Sequence, residues 1–210
     1  NKRSVTIDFS TKDGADLVCQ LAAKADILIE NFKPGGLQKY GLDYASIAAF
    51  NPGIIYCSIT GFGQTGPYSH RSGYDFLIQG MGGLMSITGQ PDGNPGGGPV
   101  KVGVAVCDLF TGMFAANAAL AALAYRSRTG IGQHIDCALL DSQISMLANQ
   151  SANWLNAEIC PDRMGNSHPS VVPYTVYEAK DGFVIVACGN DKQFIRLTAA
   201  LGIPALADDD

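Results

Sequence analysis

A chain of 210 residues with 47 % hydrophobic content carries enough apolar side chain for one core or two small lobes. Its formal net charge of −5 excludes a broad nucleic-acid surface, which needs clustered Lys and Arg to release counterions from phosphates. No apolar run approaches the roughly 18 residues of a membrane span.

Periodicity alternates between strand-like and helix-like from the start. Ser4-Val-Thr-Ile-Asp8 reads as a strand, Thr11 to Ala23 as a helix with Leu17, Val18, Leu21 and Ala22 on one face, and Asp26-Ile-Leu-Ile-Glu30 as a strand again. Pro34, Gly35 and Gly36 break the chain before a short helix, Asp43 to Ala49 forms another, and Asn51-Pro-Gly53 turns into the strand Ile54 to Ile59. Tyr74 to Met85 is helical, and Gln90 to Pro99, rich in Gly and Pro, is a mobile loop. A long helix of small residues spans Leu109 to Tyr125. The turn Arg126 to Gly132 leads to the strand Gln133 to Cys137 and a helix from Leu139 to about Trp154. Such alternation predicts an α/β fold, a mostly parallel sheet with helices on both faces.

From Asn156 the grammar changes. Val171 to Glu178 and Gly182 to Cys188 read as a hairpin turning at Lys180-Asp181, and a last helix, Lys192 to Leu201, ends at Gly202. A boundary near residue 160 divides the chain into a first domain, 1–158, and the start of a smaller α+β domain, 159–210. Opening on Asn1 without Met and closing directly after a helix, the chain reads as a piece of something longer.

The six cysteines sit singly, mostly in apolar runs, as reduced buried thiols do, and three histidines (His70, His134, His168) stand in unrelated contexts. With neither C-x-x-C nor H-E-x-x-H spacing, no metal site is expected. Gly61-Phe-Gly63-Gln-Thr-Gly66 matches G-x-G-x-x-G after a strand. Pro67 to Gly73 then occupies the place where the helix of a dinucleotide fold should run. A glycine loop admitting a ligand to the backbone and a plain turn-rich connection both stay open.

The most informative residue is Asp108, set between Gly103-Val-Gly-Val-Ala-Val-Cys107 and the long helix. A carboxylate at a helix start is held ionised by backbone N–H groups and the helix dipole. It can cap the helix or act as a nucleophile; the residue alone leaves both open.

Five segments occur together in order: Asp26 to Gly35, Ser58 to Tyr68, Gly73-Tyr74-Asp75, Val102 to Asp108, and Arg128 to Asp136. As a set they resemble the family III CoA-transferases, the group that includes formyl-CoA transferase and carnitine CoA-transferase. The resemblance implies a Rossmann-like first domain whose N-terminal strand-helix unit is missing here, a second smaller domain, and an interlocked homodimer in the full-length protein. It makes Asp108 the nucleophile, attacking an acyl-CoA thioester to form a mixed anhydride and then an aspartyl-CoA thioester. Coenzyme A enters as acyl-CoA substrate, the other partner is a small carboxylic acid, and no metal, nucleic acid or membrane is involved.

Residues matching the family's CoA-contacting pattern are Asn31, Phe32, Lys33, Lys39, Gly61, Gly63, Tyr74 and Asp75. Phe32 would line an adenine pocket, and Lys33 and Lys39 would neutralise phosphates; the same lysines also fit a solvated surface. Lys39 stands where the family commonly has Arg. The related 2-methylacyl-CoA racemases carry Gly-His-Asp where this chain has Gly73-Tyr74-Asp75, and tyrosine is a poor proton carrier at neutral pH. Two further alternatives are a CoA-binding piece without turnover of its own and, for His168 in Asn166-Ser-His-Pro169, a role near the site or in shaping its loop. The C-terminal half resembles the branch acting on succinate and glutarate, and the expected location is the cytoplasm, or a mitochondrion or peroxisome in a eukaryote.

Overall fold

The computed structural model describes residues 2–208; Asn1 and the last two residues lie outside them. In chain order the elements are α1 (Lys12–Ala22), β1 (Ile27–Glu30), α2 (Tyr44–Phe50), β2 (Ile55–Thr60), α3 (Asp75–Met81), α4 (Leu84–Ile87), α5 (Val106–Thr129), β3 (Gln133–Ala138), α6 (Leu139–Ser145), α7 (Asn149–Ala157), β4 (Tyr174–Ala179), β5 (Gly182–Ala187) and α8 (Asp191–Ala200). Short 3-10 turns lie at Gln38–Tyr40 and Pro204–Asp208. The chain divides into two compact units, residues up to Leu84 with Lys101–Glu158, and Met85–Val100 with the residues from Ile159 onward.

The first unit is an α/β layer structure around a parallel sheet of order β1-β2-β3. Ile27 faces Ile55 across one ladder and Ile55 faces Gln133 across the next. β2 is central and buried at every position but Ile59, as its continuous apolar run requires when helices cover both faces. Strand alternation sends Ile54 and Tyr56 into a cluster with Ala22, Leu37, Leu42 and Ile47. It sends Ile55 the other way, onto Ala119 and Ala122 of α5. Asn51 Nδ2 donates to the carbonyls of Ala22 (2.9 Å) and Ala25 (3.1 Å), fastening the end of α1 beside the approach to β2.

α5 is 24 residues long and starts three residues before the position expected from sequence. Ala115, Ala119 and Ala122 form its buried stripe, small enough to bring the helix close to the strands. Against the expectation that no run is long enough to span a membrane, this helix is long and apolar enough by length and composition. Its alanines instead pack on β2 and β3 side chains, while Leu109, Met113 and Leu120 are exposed. At its end Gly130 adopts φ 75°, and Arg126 donates to Asp26 O (3.2 Å), Gly53 O (3.1 Å) and Asp26 Oδ1 (2.8 Å).

Local elements differ from the sequence expectations at three more places. Ser4 to Asp8 forms no strand, because an extended segment becomes a strand only against a ladder partner, and none pairs with it among the described residues. The helix expected over Tyr74 to Met85 stops at Met81 and resumes as α4, with Gly83 at φ 91° between. The helix from Leu139 divides at Ala148, which has φ 48°.

In the second unit β4 and β5 pair antiparallel, Tyr174 opposite Ala187, across Lys180-Asp181. The Asn190 side chain caps α8 by accepting from Gln193 N–H at 3.1 Å. The segment Met85–Val100, which the sequence reading assigns to the first domain, belongs here: Gly165 N–H donates to Gly89 O at 2.9 Å, and Arg163 binds Ser86 O and the Asp92 carboxylate. His168 shapes its own loop, its Nδ1 accepting from Ser170 N–H (3.1 Å) and its ring lying 5.0 Å from that of Tyr174.

Because Ile55 is fully buried between β2 and α5, Ile55→Ala should cost about 2–5 kcal/mol and lower the urea midpoint correspondingly. A loss below about 0.5 kcal/mol, the range of neutral surface changes, would contradict this packing.

Candidate active site

Two glycines set the geometry at the end of β2. A Cβ on Gly61 would lie 2.4 Å from Gly73 Cα, and one on Gly73 would lie 2.3 Å from Gly61 Cα. The backbones can approach this closely only without side chains. The pinch closes the loop between them and delivers Tyr74 and Asp75 beside the C-terminal end of β2.

Asp75 opens α3 and its carboxylate is fully engaged. Oδ1 accepts from Cys107 N–H at 2.8 Å, in the first turn of α5, and Oδ2 accepts from Gln79 Nε2 at 2.7 Å. Gln79, completely buried, returns its Oε1 to Val102 N–H at 2.8 Å. Both ends of the approach to α5 are thus tied to α3. Ala105, the residue before α5, makes no side-chain cap, so Asp75 supplies from a distant segment the acceptor that a capping residue ordinarily gives.

Asp108 is thereby left free. It is the third residue of α5, and no hydrogen bond to its carboxylate is found among the described residues, so the capping reading has no bond behind it. Asp108 is exposed on the cavity wall, and the partial desolvation it does undergo, then the Asp75 carboxylate, raise its pKa from the usual 3.8, against the pull of the helix dipole toward the ionised form. The neighbouring Cys107 thiol is pushed up to about 12 by burial, then by Asp75 and Asp108. It stays protonated at neutral pH and does not compete as a nucleophile.

Gly61, Gly73, Tyr74, Asp75 and Asp108 border a cavity of about 660 Å³ at the C-terminal ends of β1 and β2, where parallel sheets carry their ligands. Its walls are the end of β1 with Asn31, Phe32, Lys33 and Pro34, the end of β2 with Gly61, the stretch Arg71 to Asp75, the first turns of α5, and Leu139. Of the residues selected from sequence, Asp108, Asn31, Phe32, Lys33, Gly61, Tyr74 and Asp75 are brought together here. Phe32 N–H donates to Glu30 Oε2 at 2.7 Å, and its half-exposed ring meets Phe9 edge-on at 5.6 Å.

Lys39 and Gly63 are not among the cavity residues. Lys39 extends over the Tyr40 ring, its Nζ 4.6 Å from the centroid. Gly63, at φ 84°, turns the loop and donates its N–H to Thr60 Oγ1 at 2.9 Å. Among the cavity residues that sequence reasoning missed are Glu30, Arg71 and Thr111. Glu30 ends the strand before the Asn-Phe-Lys motif and Thr111 lies one turn after Asp108, so their positions carried a signal. Arg71 sits in a segment that reads as connection.

Comparison with known proteins bears on the family and the fold. The family model described as CoA-transferase family III matches residues 1–210. The chain is 56 % identical over 209 residues to a succinate–glutarate CoA-transferase of Agrobacterium fabrum, covering 100 % of this chain and 51 % of that one. It is 43 % identical to the human succinyl-CoA:glutarate CoA-transferase, covering 100 % of this chain and 47 % of the human one. The crystal structure of a CAIB/BAIF family protein from Brucella suis superposes with a TM-score of 0.85 at 56 % identity, covering 100 % of this chain and 54 % of that one. The chain thus spans about half the length of the curated relatives it matches, and it belongs to CoA-transferase family III.

Proposed function

We propose that the full-length protein transfers CoA from an acyl-CoA to a carboxylic acid, with Asp108 as the covalent relay. The observation that carries this reading is the carboxylate left without a hydrogen-bond partner on the wall of a cavity whose other acids are engaged. An Asp108 oxygen attacks the thioester carbonyl, the C–S bond breaks, and CoA thiolate leaves an acyl-aspartyl anhydride. The thiolate then attacks the aspartyl carbonyl, releasing the donor acid and forming an aspartyl-CoA thioester. An acceptor carboxylate attacks that thioester and the thiolate, released again, attacks the acceptor's acyl carbon, which returns Asp108 as a carboxylate. Each step exchanges one acyl-oxygen or acyl-sulfur bond for another, so no proton carrier is required.

Asn31, Phe32, Lys33, Gly61 and Tyr74 are assigned to CoA, and Asp75 to holding the start of α5. The names of the relatives support a dicarboxylate pair such as succinate and glutarate. The reading includes an interlocked homodimer in a reducing, cytoplasm-like compartment, which suits the exposed apolar face of α5 and the free thiols. A racemase needs two proton carriers on the cavity, and the matching position holds Tyr74; a CoA-binding chain without turnover is the other alternative.

Two experiments on the full-length parent protein check this. Incubation with succinyl-CoA followed by peptide mass mapping should find a CoA adduct on Asp108 that hydroxylamine removes and Asp108→Asn lacks. No adduct, with α-proton exchange on a branched acyl-CoA, would establish the racemase instead. Binding of CoA with neither adduct nor exchange would leave the CoA-binding reading.

The pH profile gives the second test. The attacking species is the carboxylate, lost as pH falls through its pKa, and that pKa is raised above 3.8. The acid limb of kcat/KM therefore lies at higher pH than for an ordinary aspartate. Asp75→Asn removes the neighbouring charge while keeping an oxygen for Cys107 N–H, and should move the limb to lower pH; an unmoved limb would contradict the coupling.

A further inference from the structure

Two cations border the Asp108 cavity, Lys33 and Arg71, and the ion pairs found among the described residues, Arg126 with Asp26 and Arg163 with Asp92, use neither. The acids of the same cavity, Glu30, Asp75 and Asp108, outnumber them. In a chain of net charge −5, an anionic ligand entering here needs a cation to offset that local field.

Arg71 is built for the task. Its backbone N–H donates to Tyr68 O at 2.8 Å, and its guanidinium carbon lies 4.2 Å from the Tyr68 ring centroid. Tyr68 is itself braced edge-on by Phe62 at 5.5 Å. All three side chains belong to the loop pinched shut by Gly61 and Gly73. Packing over a ring employs the guanidinium face and leaves its edge donors available, and that planar fork matches the paired oxygens of a carboxylate or phosphate. A side chain already held against a ring loses less freedom when a ligand arrives. Arg71 also stands four positions before Asp75, so chain length alone keeps their Cα atoms within roughly 14 Å, and both line the cavity that Asp108 borders.

We propose that Arg71 is the anion-holding residue of this cavity, its guanidinium edge gripping a carboxylate of the acid or a phosphate of CoA while Asp108 meets the reacting carbonyl. The assignment rests on the proposed CoA-transferase function for the identity of the ligands, and its test is kept apart from turnover.

The full-length parent protein is titrated calorimetrically with glutarate and, separately, with CoA, as the native chain and as Arg71→Gln, Arg71→Lys and Tyr68→Leu. Arg71→Gln should weaken one probe about 10- to 100-fold, the range for a lost charge-assisted contact. Arg71→Lys should recover part of that, since it keeps the charge without the fork, and Tyr68→Leu should weaken the same probe less. Loss confined to glutarate assigns the carboxylate, and loss confined to CoA assigns the phosphate. Binding of both probes within about twofold of native in Arg71→Gln, an equal loss of both, or no binding of either by the native protein would overturn the proposal. A native protein that binds both and transfers nothing would instead sink the transferase reading and leave Arg71 in its role.

Discussion

A helix that begins beside a cavity presents N–H groups that need acceptors, and any carboxylate in its first turn is drawn toward them. In this protein the demand is met from 32 residues away, by Asp75 Oδ1 on Cys107 N–H. Gln79 continues the line, donating to the other Asp75 oxygen and accepting from Val102 N–H. With that acceptor supplied, Asp108 keeps its oxygens unbonded although it sits in the first turn. The same arrangement has an electrostatic cost, since a second carboxylate nearby adds to partial desolvation in raising the pKa of Asp108. In the proposed relay that cost is offset, because a carboxylate occupied as a cap would have to break hydrogen bonds before attacking a thioester.

The rest of the first unit serves to bring α3 and α5 to one place. β2, buried along its length, carries the chain to Gly61, and the backbone contact of Gly61 with Gly73 returns it there after the intervening loop. α5 lies against β2 through alanines, which let its axis come close enough for its first turn to border the cavity. A larger residue at Ala119 or Ala122 would lift the helix off Ile55, and the line from Asp75 to Cys107 would lengthen with it.

Much of this was legible in the sequence, for reasons that differ by element. The strands Ile27–Glu30 and Ile55–Thr60 announced themselves as short β-branched runs, and Gly61 opened a loop read either as admitting a ligand to the backbone or as a plain connection, whereas what approaches it is the backbone of Gly73. Asp108 stood out because a lone acid between an apolar run and a small-residue helix has few uses. The hydrogen bond from Cys107 to Asp75 left no trace, because a contact across 32 residues has no period. Asp75 was therefore read as a ligand contact. Lys39 was selected for its charge and its place in a motif, yet charge alone does not decide whether a lysine turns to a cavity or, as here, over Tyr40. Arg71 was hidden by Pro67 to Gly73, whose composition describes a connection equally well whether or not it carries a functional side chain. The strand expected at Ser4 to Asp8 failed for a related reason: local pattern makes a strand possible, and only a partner makes it one.

In the proposed relay the Asp108 carboxylate exchanges its own oxygen during turnover. Acid labelled in both carboxylate oxygens with oxygen-18, supplied as CoA acceptor to the full-length parent protein together with an unlabelled acyl-CoA, tests it directly. When the acceptor's anhydride is opened at its acyl carbon, the bridging heavy oxygen stays with the aspartate. Heavy oxygen should appear in the peptide carrying Asp108 and, after further turnovers, in the released donor acid. Turnover that leaves that peptide unlabelled, or labels a different acid of the cavity, would contradict it.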